Sequence, residues 1–153
     1  MRIFLLTIFS LVILNASNMK PTYSLTASGG VTDLVYKKDK LYVATANSKV
    51  NIFNIKTKKL TKTIELPKIK DFAGDLVASK IYSVDALNGS VLILSQGAKG
   101  GRSIDIYKDG KLQSIIDAKK RMFIARAKFV TSDKIIFSLL SNQLYYYDLK
   151  TNK

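Results

Sequence analysis

The chain has 153 residues, with 25 Lys+Arg against 11 Asp+Glu for a net charge of +14, 47% apolar residues, and no Cys, His or Trp. That length fits about one domain, and such an apolar fraction belongs to a chain that packs a core rather than a disordered one. Without thiol or imidazole, this chain supplies no His- or Cys-ligated zinc or haem, no iron–sulfur cluster, no Ser-His-Asp triad and no Cys nucleophile.

At the N-terminus, Met1-Arg2 precedes an apolar run from Ile3 to Leu14, and Leu14-Asn15-Ala16 offers a cleavage site after Ala16. This is the pattern of a secretory signal peptide over 1–16. Spanning a membrane takes about 20 apolar residues, whereas Asn15, Ser17, Asn18 and Lys20 close this run early. No Cys follows Ala16 to carry a lipid. The expected mature chain therefore begins near Ser17 as a soluble exported protein without stable membrane insertion, and residues 17–29 form a linker.

From Thr22 onward, short alternating apolar runs rich in β-branched residues and Tyr are separated by Gly, Asn, Asp and Lys clusters. They predict strands over 31–36, 41–46, 50–55 and 60–66, then 80–86, 91–95, 103–107 and 112–116, then 127–130, 135–140 and 144–149. No helical period with caps intervenes. Val50 to Leu60, Ser103 to Leu112 and Gln143 to Lys153 echo one another, each an alternating strand ending in a polar turn of the type Lys-Thr-Lys or Lys-Asp-Gly-Lys. Leu60 to Leu112 is 52 residues, and Ile55 to Leu149 is 94 over two units, so the period is about 47, as for four-stranded propeller blades. The fold class is thus all-β, a partial β-propeller of four-stranded antiparallel blades over 30–153, with blades at 31–66, 80–117 and 125–153. Leu41, Val43, Ile52, Ile55, Ile104 and Ile106 are expected to face neighbouring blades, and Pro67 with Lys68 to Asp71 to fall between blades. About two and three-quarter blades are present where closed rings have about four to eight, which predicts a fragment of a protein about twice as long.

Gly97-Ala-Lys-Gly-Gly-Arg-Ser103 is a Gly-rich loop, but it lacks the phosphate-loop spacing and a following helix. It reads as a hairpin connection, with Arg102 marking a candidate partner-facing element. Lys119-Lys120-Arg121 with Arg126 is the densest basic cluster. The positive charge is 21 Lys to 4 Arg spread through turns, which speaks for a solvated surface rather than nucleic acid, with an acidic protein partner or an anionic bilayer surface as the alternative. In Tyr145-Tyr146-Tyr147, strand alternation places Tyr145 and Tyr147 on one face and Tyr146 on the other, as blade packing requires. Asp33, Asp75, Asp85 and Asp105 form no calcium loop and no acid–base pair of fixed spacing. Asn88-Gly89 and Asp109-Gly110 are turn signals. No catalytic, cofactor-binding or metal-binding residue is assigned.

Lys40-Leu-Tyr-Val-Ala44 followed by Val50 to Leu60 resembles the WD40-like superfamily of bacterial exported propellers, over roughly residues 22 to 153. The Trp-Asp dipeptide of eukaryotic members is absent. A more specific similarity, over Ile69 to Asp75, Ser79 to Asp85, Ile93 to Gln96, Ala127 to Val130 and Leu139 to Asn142, is to the periplasmic propellers encoded beside the periplasmic nitrate reductase of epsilonproteobacteria. The resemblance implies a non-catalytic periplasmic scaffold that supports or matures that reductase through protein contacts, with no active-site residues to carry over. The alternative expectation is an enzyme or ligand-binding propeller whose central site is completed beyond Lys153.

Overall fold

The computed structural model describes residues 20–152, so the expected leader and its cleavage after Ala16 lie outside the described residues. Strands β1 (Val31–Lys37), β2 (Lys40–Thr45), β3 (Lys49–Asn54) and β4 (Lys59–Glu65) form one antiparallel sheet in chain order. A two-residue hairpin, β5 (Ile69–Lys70) and β6 (Leu76–Val77), follows. The second four-stranded sheet contains β7 (Ile81–Leu87), β8 (Ser90–Gln96), β9 (Arg102–Lys108) and β10 (Lys111–Ile116). A third sheet holds β11 (Ile124–Thr131), β12 (Lys134–Leu139) and β13 (Leu144–Asp148). These are the three blades the repeat predicts. Among the described residues, no helix is long and apolar enough to cross a membrane.

The hairpins are set by local backbone chemistry. Lys38 and Asp39 (φ 47° and 62°), Asn88 and Gly89 (48° and 81°) and Asp109 and Gly110 (50° and 83°) each place two successive residues at positive φ. A two-residue turn of that kind matches the right-handed twist of the strands it joins.

Blades stack through two cores that share the middle sheet. Tyr42, Ala44, Val50, Ile52 and Ile64 of blade 1 pack with Ile81, Val84, Val91 and Ile93 of blade 2. Leu92, Leu94, Ile104 and Ile116 of blade 2 pack with Ile124, Ala127, Ile135 and Phe137 of blade 3. The continuous apolar run Val91-Leu-Ile-Leu94 is explained by this geometry, because alternate side chains enter opposite cores and β8 is buried on both faces. Each such side chain contributes about 1.5–3 kcal/mol when fully buried.

Polar rungs tie the innermost strands together. Asp33 Oδ2 accepts from Val84 N at 3.0 Å, and Asp85 Oδ2 accepts from Phe129 N at 2.9 Å. Lys128 Nζ donates to the Val84 carbonyl at 2.7 Å. Asp33 also meets Arg126 at 3.0 Å and Lys128 at 3.8 Å. These two aspartates thus link β1 to β7 and β7 to β11, a structural task that leaves them committed to blade contacts.

Ile52, Ile104 and Ile106 face neighbouring blades as expected. Leu41 and Val43 alternate with Tyr42 and Ala44 and so lie on the other face of blade 1, turned away from blade 2, and Ile55 falls just past β3 and joins neither core. Toward the end of the expected 17–29 linker, Ser28 N and Oγ both donate to Oδ1 of buried Asn51, at 2.8 and 2.9 Å. The connector after Pro67 carries the β5–β6 hairpin, whose strands are too short to show a period in sequence.

The tyrosine triplet divides as alternation requires. Tyr147 packs against the second core, Tyr145 stacks on Phe137 with ring centroids 5.2 Å apart, and Tyr146 lies exposed on the opposite face. Register equates Leu92–Ile106 and Leu94–Ile104 of blade 2 with Ile136–Tyr146 and Ser138–Leu144 of blade 3. That row is buried in blade 2, whereas in blade 3 Leu144 is 72% exposed.

Candidate functional site

A concavity of about 860 Å³ opens where the connector between blades 1 and 2 meets the outer strands of blade 2. One wall is the β5–β6 hairpin. Asp71 fixes its turn, donating its backbone N–H to the Asp75 carbonyl and accepting from Asp75 N through its side chain, each at 3.0 Å. Phe72 is thereby held at the tip, 81% exposed. Its ring lies against Gly100, where a Cβ would stand 3.2 Å from the ring carbons and where φ is +73°. Glycine satisfies both the backbone conformation and the close approach.

The opposite wall is built by two short 3-10 turns, Ala98–Gly100 and Ala118–Lys120. Asp117 caps the second, its Oδ1 accepting from Lys119 N at 2.7 Å. Arg121 closes it in the left-handed region at φ 52°. The turns touch: a Cβ on Gly101 would stand 2.8 Å from the Ala118 carbonyl oxygen. The Gly-rich loop is therefore a packing device between two turns, with Phe123 and Leu112 exposed beside it.

The floor is polar. Ser95 Oγ lies 3.2 Å from Ser103 Oγ, and Asp105 sits beside Ser114 and Ser103. Burial pushes the Asp105 carboxyl above the ordinary aspartate value, and hydrogen bonds from Ser114 and Ser103 only partly oppose it. A group placed so favours its neutral form or an incoming hydrogen-bond donor. At the rim, Lys99, Lys119 and Arg121 are exposed. Among the described residues none of the three has a carboxylate oxygen within 4.0 Å.

The arginines singled out in sequence have separate fates. Arg121 is on this rim. Arg102 turns the other way: its guanidinium lies over the Tyr82 ring, 4.2 Å from the centroid, and donates to the Ile124 carbonyl. It joins blade 2 to blade 3. Arg126 reaches Asp33 from the innermost strand of blade 3. Ala16 is outside the described residues. Sequence reasoning missed Phe72 and Asp105. Phe72 lay in a connector without period, and Asp105 showed neither calcium-loop nor acid–base spacing.

No known family profile and no curated protein matches the chain. Solved structures do. The β-propeller domain of Cps50 (Swd1) from Myceliophteria thermophila superposes with a TM-score of 0.61 at 16% identity, over 82% of this chain and 38% of that one. The WD40 β-propeller domain of Doa1 gives 0.63 at 10% identity, over 89% of this chain and 42% of that one. The chain thus spans about two fifths of the length of each propeller it matches, and its fold is that of WD40 β-propeller blades.

Proposed function

We propose that the chain is part of an exported, non-catalytic β-propeller that holds protein partners, with the groove beside Phe72 as a contact surface. The observation that carries this reading is the exposed aromatic against Gly100 beside three cations that have no carboxylate within 4.0 Å among the described residues. Exposed aromatic side chains next to Arg are the usual anchors of protein interfaces. The propeller fold supports the same reading, since blades present rigid loops. Export rests on the leader pattern at 1–16.

The finer version is an accessory role for periplasmic nitrate reductase. It rests on the similarity over Ile69 to Asp75, Ser79 to Asp85 and Ile93 to Gln96, segments that supply Ile69, Phe72, Ser79, Ser95 and Gln96 to the groove. The test is affinity capture from periplasm with the chain as bait. A reductase subunit recovered by the chain, and released as salt rises, supports the finer version. Capture of a different protein through the groove keeps the scaffold and removes the reductase. Stoichiometric retention of a small ligand or metal, with no protein partner, overturns both.

A further inference from the structure

We infer that the groove receives an extended polypeptide segment in which a large aliphatic or aromatic residue is flanked by Asp or Glu. This deepens the scaffold reading and rests on it. Three chemistries meet in the groove, and the occupant must answer each. Phe72, Phe123 and Leu112 are exposed apolar side chains that gain by covering an apolar side chain. Lys99, Lys119 and Arg121 have no carboxylate neighbours among the described residues, and they attract carboxylates with Arg121 able to bind one in bidentate fashion. Asp105 and the serines on the floor call for donors, which the backbone N–H groups of an extended chain supply.

Nucleic acid meets the cations and the aromatics but not the floor, because its phosphates bring no hydrogen-bond donor to Asp105 and the serines. A bilayer would meet Phe72 and the rim cations but leave the polar floor uncovered, so preferential binding to anionic vesicles would overturn the inference. A volume of about 860 Å³ lies in the range that holds a whole ligand of several side chains, about 300–1,000 Å³. Charge complementarity therefore selects an acidic–apolar peptide.

The experiment pans a random hexapeptide library on the full chain and repeats it on Phe72→Ala and on Arg121→Glu. Both side chains are exposed, so the variants keep the fold, which circular dichroism and thermal melting verify. The expected outcome is enrichment of peptides that combine an apolar residue with two or more acids. The best of them, synthesised with a fluorophore, is expected to bind either variant about tenfold more weakly. Enrichment of basic or neutral peptides, no enrichment on the folded chain, or binding to either variant as tight as to the parent chain would overturn the inference. So would binding of a ten-residue oligothymidylate in preference to the peptide. If the variants capture the periplasmic partner as well as the parent chain does, the groove fails while the scaffold stands on another face.

Discussion

Ile93→Ala and Leu92→Ala, at neighbouring positions in β8, probe opposite interfaces between blades. Both side chains are fully buried, Ile93 in the core between blades 1 and 2 and Leu92 in the core between blades 2 and 3. Each substitution removes three carbons, a transfer loss of roughly 2.4 kcal/mol at about 0.8 kcal/mol per methylene. The unrelaxed cavity raises the expected cost into the range of about 2–5 kcal/mol. A loss of about 3 kcal/mol lowers Tm by about 10 °C for a chain of this size. Leu144→Ala is the control, since Leu144 is 72% exposed and its truncation is expected to change stability by less than about 0.5 kcal/mol. Urea and thermal unfolding of the three variants measure this directly. Because the two cores share β8 and so unfold together, Ile93→Ala and Leu92→Ala should each lower the midpoint with m unchanged. A loss below about 1 kcal/mol for either, or a loss at Leu144 as large as at Leu92, would refute the stacking argument.

Further outcomes follow from single contacts. Arg102→Ala is expected to cost about 1–2 kcal/mol through its lost stacking on Tyr82 and its bond to Ile124, while leaving partner capture intact; unchanged melting with weakened capture would reverse that assignment. Asp105→Asn removes an acid whose folded pKa is raised by burial. The parent chain should lose stability as pH rises upward from the ordinary aspartate value of 3.8, because the folded state holds its proton longer. The Asn variant should show no such loss and be at least as stable at neutral pH, as read from Tm across pH. Asp133 behaves oppositely: its bonds from Lys150 and Thr131 lower its pKa from 3.8 to about 2. The stability it contributes is present above the unfolded value and is lost as pH falls toward about 2. Asp133→Asn should flatten that acid limb, and added salt should shrink the difference because the pair is exposed; an unchanged acid limb would remove the pair from the account.

The blades were legible in the sequence because half-buried strands impose a period of two, and eleven predicted strands lie where β1–β4 and β7–β13 occur. Their ends shifted for physical reasons. Lys40, Lys49 and Lys59 begin strands though they are polar, since ladder pairing does not depend on side-chain polarity. Ala46, Ile55 and Leu66 were read one residue too far, yet each still donates a backbone bond just past its strand, to Gly30, Asp39 and Ser48. β11 starts at Ile124 rather than Ala127, because Arg126 interrupts the apolar pattern in order to reach Asp33. The groove was not legible. Phe72, Asp105 and Arg121 come from three segments separated by more than a dozen residues each, and only the packing of Gly100 under Phe72 and of Gly101 against Ala118 brings their loops together.

Amide hydrogen exchange on the chain, free and bound to the protein it captures, tests the proposed contact surface most directly. The account predicts that the partner slows exchange at residues 70–76, 97–101 and 117–122, the segments that wall the groove, and leaves β1 and β11 unchanged. Protection confined to β1 and β11, the innermost strands that carry Asp33 and Arg126, would contradict it and move the functional surface to the centre of the propeller.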